Sequence, residues 1–296
     1  MLPALCAGRF ACALTGGLLL LAVTANIAEA QSRKAPSERE LVDRVNDSFR
    51  LLQASDSDGS RLRLKTTLRA IADSNYSDLT IRAYLSAVTY FERRRDTSVA
   101  SELFADAAKT RAARETGTAA ATLWFEYARF LNRTNQYEAG IPVATEARNR
   151  MRAIHGRNSQ EDIAGGDILA TVLTNNGAVA SGLNLSEEIY LNARKALGDR
   201  LPLTWRTENN YAEALRMVGH PDVAATIDEP LLKKRIAHYG IGSIQALVSA
   251  SNLALNHLAM GNEVETLKVL DLQRRAAAAL ADPTSEHVAL KPVAEP

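Results

Sequence analysis

Four alanines, Ala128, Ala170, Ala212 and Ala254, stand 42 residues apart, and Asn135, Gly177, Gly219 and Gly261 follow them at a constant offset of seven. Gly156, Gly198 and Gly240 form a third column with the same 42-residue spacing. Three columns in phase define a repeat array, in which each unit is too small to bury its own apolar face and gains a core only by stacking on its neighbours. Such an array produces an extended surface for another molecule rather than a catalytic cleft. With 296 residues, 46% of them hydrophobic, the chain has material for a substantial core. Aromatics reach only 5%, which suits helices packed closely through small side chains. A formal charge of +1 gives no overall attraction to nucleic acid or an anionic membrane, so any electrostatic preference has to be local.

The first thirty residues stand apart from the array. Arg9 precedes an apolar stretch, Phe10 to Ala25, centred on Leu18 to Leu21, and small residues follow in Val23-Thr24-Ala25 and Ala28-Glu29-Ala30. The pattern predicts a signal peptide over residues 1–30, cut after Ala25 or Ala30, and its strongly apolar part is shorter than the roughly 20 residues a spanning helix needs. A periplasmic or secreted bacterial protein is expected, with no stable membrane insertion after cleavage. Cys6 and Cys12 both lie in the removed segment. The mature chain would then have no disulfide, no thiolate chemistry and no cysteine metal site.

Residues 31–77 read as an N-terminal helical segment. Ser37 and Glu40 form a capping-box pattern ahead of Leu41, Val45, Phe49 and Leu52, which predicts a helix from Ser37 to Gln53. Ser55-Asp56-Ser57-Asp58-Gly59 breaks it, and Leu62, Leu64, Leu68 and Ile71 mark a second helix. The break lacks the third acidic ligand and the terminal glutamate of a calcium loop, and reads as a solvated turn. Two further helices are expected on either side of Asp96-Thr97-Ser98, with Ser86 in the small-residue column, which makes residues 78–117 a degenerate first repeat. Arg93-Arg94-Arg95 complements a helix C-terminus.

At Ala128 the chain resembles a known family. Trp124-Phe125-Glu126-Tyr127-Ala128, Asn135-Gln136-Tyr137-Glu138-Ala139, Pro142 and Ala147 are similar to a tetratricopeptide repeat. The 42-residue period, with Leu197-Gly198, Pro202, Thr204, Thr207 and Asn209-Asn210-Tyr211-Ala212, resembles the kinesin-light-chain type; Tyr239-Gly240 and Asn252-Leu253-Ala254 repeat it weakly. The resemblance implies an all-α, right-handed solenoid of helical hairpins over residues 78–282, with units 118–160, 161–202, 203–244 and 245–282 after the degenerate one, and a flexible tail at 283–296. HEAT and armadillo arrays have similar periods, but the small-residue, turn-glycine and Leu-Gly columns together favour the tetratricopeptide form.

Three departures carry expectations of their own. Ile189-Tyr190 and Leu231-Leu232 sit about four residues later than the family places the apolar pair of helix B, which implies a longer turn between helices A and B. Pro221 and Pro230 suit helix starts rather than interiors. Gly165-Gly166 weakens the start of one helix A.

Chemistry-bearing motifs are absent from the sequence. The five histidines, His155, His220, His238, His257 and His287, are scattered, and no zinc, phosphate-loop or serine-histidine-acid pattern is present. His257, among Leu255, Leu258 and Met260, reads as a packed histidine. No enzyme activity, metal or cofactor is expected.

In the family geometry helix A lines a concave groove, which implies peptide contacts at Arg129, Asn132 and Arg133, at Thr171 and Asn175, at Arg206, Asn209, Asn210, Glu213 and Arg216, and at Asn252. Asparagine amides can hold an extended backbone, and arginines can grip carboxylates. Arg129, Arg133, Arg206 and Arg216 outweigh Asp167 and Glu213, so an acidic or C-terminal segment of another protein is the expected partner. Asn209 and Asn210 lie outside the alanine column and are expected to be replaceable without unfolding. The leading reading is an exported adaptor or scaffold. A capture protein for a small anionic ligand and a structural spacer in an envelope complex are the alternatives.

Overall fold

The structure, a computed structural model, describes residues 35–281, and the signal-peptide and tail segments read above lie outside these residues. The chain divides into two compact units between Ile71 and Ala72. The described residues are helical with no strand, and none of their helices is long and apolar enough to cross a membrane.

The first unit holds α1 (Glu38–Ala54) and most of α2 (Asp58–Ala72). The capping box forms: the Ser37 hydroxyl accepts the Glu40 N–H, and the Glu40 carboxylate accepts the Ser37 N–H at 2.7 Å. The polar run breaks the helix for only three residues. Ser57 then accepts the Ser60 N–H, and Asp58 and Gly59 already belong to α2. Leu41, Leu52, Leu64, Leu68 and Ile71 are fully buried, and the Ser48 and Thr67 hydroxyls meet across the helix pair at 2.9 Å.

The second unit is the array. It opens with α3 (Ser77–Arg93), α4 (Thr97–Lys109) and a single turn, α5 (Arg111–Arg114). Four hairpins follow: α6 (Thr118–Arg133) with α7 (Tyr137–His155), α8 (Gln160–Asn175) with α9 (Val179–Leu197), α10 (Pro202–Met217) with α11 (Pro221–Tyr239), and α12 (Ile244–Ala259) with α13 (Glu263–Ala281). Each A helix has 16 residues and each B helix 19, so both recur with the 42-residue period. Every helix packs on its sequence neighbours, and α6, α8, α10 and α12 also touch one another in succession.

The three columns have separate physical roles. Ala128, Ala170, Ala212 and Ala254 are at most 5% exposed, so the small-residue column is buried where helix A packs on its neighbours. Gly177, Gly219 and Gly261 take positive φ in the A-to-B turn, where Asn135 substitutes at φ 59°. Gly156, Gly198 and Gly240 end the B helices with φ between 81° and 89°. The signature residues around Gly198 hold the loop that follows. The Thr204 hydroxyl donates to the Gly198 carbonyl at 2.8 Å, and the Trp205 indole N–H donates to the Asp199 carbonyl at 2.6 Å.

Several expectations are corrected. The A-to-B turn is three residues in all four hairpins, so the late apolar pair lengthens nothing. Four residues are about one helical turn, and Ile189, Leu231 and Leu232 stay on the buried face one turn further along. Pro221 opens α11, but Pro230 lies inside it. The carbonyl Pro230 cannot bond is that of Thr226, and both residues are exposed, so solvent satisfies it. Ser86 is exposed, whereas Ala87 and Val88 are buried. The left-handed turn residue Arg95 precedes Asn135 by only 40 residues, which moves the column position to Val88. Arg94 to Asp96 form that turn, and Thr97 and Ser98 already belong to α4.

Gly165-Gly166 does not weaken α8, which is continuous from Gln160. A Cβ at Gly165 would lie 2.9 Å from the Arg148 Cα, and one at Gly166 would lie 2.3 Å from the Ile189 side chain. The glycines trade helix propensity for closer approach to α7 and α9. Gly182 of α9 does the same against α8, with a Cβ falling 2.1 Å from the Thr174 hydroxyl and 2.9 Å from its backbone nitrogen.

These contacts set the stability of the array. Ala212→Leu should wedge α10 from its neighbours, and Gly182→Ala should force α9 from α8, each at a cost of about 1–3 kcal/mol. Thermal unfolding followed by circular dichroism checks both. An unchanged Tm for Ala212→Leu would show that the alanine column is not a helix contact.

Candidate functional site

The polar residues expected to face a ligand form a ladder from one A helix to the next. Asn175 of α8 donates its amide to Asn132 of α6 at 3.1 Å. Asn210 of α10 donates to Asp167 of α8 at 2.8 Å and to Thr171 at 3.2 Å. Asn252 of α12 donates to Asn209 of α10 at 3.2 Å. Asp167 with Asn210 and Asn209 with Asn252 occupy equivalent repeat positions, so the same rung is built twice. The Asn209-Asn210 doublet thereby acquires a structural role: Asn210 reaches back one helix, Asn209 receives from the helix ahead, and adjacent side chains tie three A helices together.

The arginines are paired as well. Arg206 donates to Asp167 at 2.7 Å, Arg133 to Glu92 of α3 at 2.6 Å, and Arg129 to Glu126 of its own helix at 3.0 Å. Arg129 also lies 5.8 Å from the Phe125 ring centre. Their side chains remain 45–47% exposed and keep further N–H groups toward solvent. Three of the four arginines of the expected positive face thus carry a carboxylate of their own, and the positive excess inferred from the sequence is largely neutralised. Glu92 and Glu126 were missed because one comes from the previous hairpin and the other from the previous turn of the same helix.

Asn209 is not an exposed contact. It is buried and accepts, besides Asn252, the guanidinium of Arg235 at 3.0 Å. Arg235, on α11, also donates to the Ser249 hydroxyl at 2.7 Å and the Trp205 carbonyl at 3.1 Å, so this charge is held by neutral oxygens from α10 and α12. Burial pulls its affinity for its proton below the ordinary arginine value, while Asp228, Tyr239 and Glu208 oppose the shift. The sequence did carry a signal for Arg235. Its repeat equivalents are the buried Met151 and Ala193, so an arginine in that column has to be clamped by its neighbours.

Glu213 and Arg216, half-buried on α10, face a second polar insertion. Asp228 of α11 is buried and accepts the Asn256 amide of α12 at 2.8 Å, in columns otherwise held by Ala144 and Ser186 on one side and Phe130, Val172 and Ala214 on the other. Asp228 Oδ1, Asn256 Oδ1, Arg216 Nε and His257 Nδ1 have no hydrogen-bond partner among the described residues. Burial raises the Asp228 carboxyl to about 7, against the pull of Asn256, Arg235 and Arg216 and with a small push from Glu213. The Asp228–Asn256 pair is therefore particular to the joint of α10, α11 and α12, while the α7–α8 joint has a buried charge of its own in Asp162, paired with Arg152 at 3.0 Å and Arg148 at 3.5 Å. Among the described residues no group of three or more His, Cys, Asp or Glu is arranged to hold a metal ion.

No family model and no curated protein matches the chain. Solved structures do. A Podosopora anserina putative kinesin light chain of nearly identical TPR-like repeats matches with a TM-score of 0.58 at 19% identity, over 70% of this chain and 99% of that one. BtubC (BKLC) from P. vanneervenii matches with a TM-score of 0.55 at 14% identity, over 82% of this chain and 90% of that one. Rap protein complexed with Competence and Sporulation Factor matches with a TM-score of 0.58 at 13% identity, over 83% and 79%. The fold is the TPR-like helical solenoid that these structures share.

Two substitutions separate support from surface. Asn209→Ala should lower stability by about 1–3 kcal/mol, because Arg235 and Asn252 lose a buried acceptor. Asn210→Ala should cost less, since Asp167 keeps Arg206. Urea titrations that rank the two in reverse would remove the clamp from the account. Asp228 sets a pH dependence. Its folded value lies above the ordinary 3.8, so the stability it contributes is present in acid and lost as pH rises from about 4 to about 7. Asp228→Asn should leave stability little changed at pH 4 and raise it at pH 8 by on the order of 2 kcal/mol, read as a widening Tm difference.

Proposed function

We propose that the chain is an exported protein-interaction scaffold that holds an extended segment of another protein along α6, α8, α10 and α12. One observation carries this reading: four A helices in register present half-exposed Asn132, Thr171, Asn175, Asn210 and Asn252 side by side, flanked by the exposed Arg129, Arg133 and Arg206. A row of amides and hydroxyls can exchange its lateral hydrogen bonds for those of a peptide backbone, which suits a strand-like ligand of variable sequence. The solenoid fold supports the reading, and among proteins of this fold the Rap structure holds a bound factor.

The pairing of the arginines refines the expected ligand. A segment with a uniform negative charge would have to displace Glu92, Glu126 and Asp167, and exposed ion pairs contribute only about 0–1 kcal/mol each. Backbone recognition therefore supplies most of the affinity. Carboxylates of the ligand add selectivity where they reach the free N–H groups of Arg133 and Arg206. Export, to the periplasm or outside the cell, is the part of this proposal supported by the N-terminal apolar stretch and its small-residue cleavage pattern.

Affinity capture tests the reading. Residues 31–296 immobilised and exposed to envelope extract should retain a protein that an Arg129→Glu, Arg133→Glu variant of equal helicity retains at least about tenfold less, the equivalent of 1.4 kcal/mol. Raising salt should weaken retention only modestly. Equal retention by the variant would move the interaction off the A-helix face.

A further inference from the structure

Among the described residues, nothing packs on the far side of α12 and α13. A groove of about 220 Å³ lies between α12 and α13, lined by Ser251, Leu255, Leu258, Thr266, Leu270 and Gln273. One repeat earlier the same positions are covered. Asn209, equivalent to Ser251, bonds Asn252, and Asp228, equivalent to Leu270, bonds Asn256, because α12 itself fills that slot. The terminal groove is thus a continuation of an interface the protein already uses, and the occupant it is shaped for is a helix.

The stripe bordering the groove has changed chemistry. On α10 it carries Pro202, Arg206, Asn209, Glu213 and Arg216; on α12 the equivalent residues are Ile244, Val248, Ser251, Leu255 and Leu258. Ile244 is 63% exposed and Leu258 62%. Spaced by alternating steps of four and three, these residues form the seam with which one helix packs along another. Moreover, α12 has no Asp, Glu, Lys or Arg, although every other A helix of the four hairpins carries several. Depletion of charge with exposed apolar side chains marks the centre of an interface.

The same helix supplies both surfaces: α12 borders the groove and is itself the kind of seamed, uncharged helix that the groove accepts. Charge on α13 is balanced, with Glu263, Glu265 and Asp271 against Lys268, Arg274 and Arg275, so a symmetric approach brings no net repulsion. We propose that a second copy of this chain covers the face, in a two-fold dimer with the two α12 helices antiparallel and each lying against the α12–α13 groove of its mate. Two-fold pairing uses one patch twice and closes on itself, and it leaves the faces of α6, α8 and α10 in both copies free for ligand.

Sedimentation equilibrium of residues 31–296 tests the assembly. A dimer is expected, and Leu255→Glu with Leu258→Glu should weaken it at least about tenfold without loss of helicity, whereas Leu191→Glu, at a comparably exposed site on α9, should not. Cys6 and Cys12 fall outside this span, so Ser251→Cys introduces a single thiol. Oxidation should link two copies of that variant, since a two-fold between the α12 seams brings their centres together. A monomer at about 100 μM, a dimer insensitive to the paired glutamates, or a dimer that Ser251→Cys does not cross-link would overturn the proposal. So would a dimer seen only when residues 282–296 are removed, which would make the chain's own tail the occupant.

Discussion

Close approach of helices through missing side-chain atoms is the constraint on which the array depends. Where an A helix meets its neighbours the contact is made by Ala128, Ala170, Ala212 or Ala254, and at the joints of α7, α8 and α9 by Gly165, Gly166 and Gly182 with no side chain at all. Such contacts gain dispersion and apolar burial along the whole helix, because axes that lie closer bring more flanking side chains into contact. With few aromatics available to fill wide gaps, this chain has little alternative. The glycines that cost helix propensity return it as packing.

Polar groups do a second job on top of that packing. Apolar contacts between helices are tolerant of sliding, whereas a directional hydrogen bond between side chains of two helices is satisfied at one register only. The rungs Asp167 with Asn210 and Asn209 with Asn252, and the Arg235 clamp beneath the second, fix how α8, α10 and α12 sit along one another. The same groups serve the proposed ligand face, since amides that bond sideways to each other can also bond outward. Rigidity and recognition then share residues, and Asn209 belongs to the first class while Asn132, Asn175 and Asn210 remain open to the second.

Going from the first clear hairpin to the last, the lateral columns drift in character. Phe130, Val172 and Ala214 give way to Asn256, and Ala144 and Ser186 to Asp228, so the last joint is bonded through polar atoms, while the stripe beyond it turns apolar and faces outward. In a solenoid of identical units, the final unit would repeat the surface of those before it. Here it differs in the direction that an interface requires.

The fold was legible in the sequence because a repeat states its own geometry several times. Ala212 in phase with Ala170 fixes which face of α10 is buried, and Gly219 in phase with Gly177 fixes where the chain turns. Gly165 and Pro230 were misjudged for one reason: propensity describes a helix alone, and the proximity of Arg148 or the solvent beside Thr226 is known only once helices are assembled. The candidate face was legible in part. Helical periodicity placed Asn132, Asn175, Asn210 and Asn252 on equivalent faces, but which of them bond to each other, and that Glu92 would neutralise Arg133 from a neighbouring hairpin, depends on contacts some 40 residues apart. Residue type and period decide the secondary structure and its stacking; partners of buried charge are chosen by the tertiary structure, because only it sets the distances over which hydrogen bonds and Coulomb forces act.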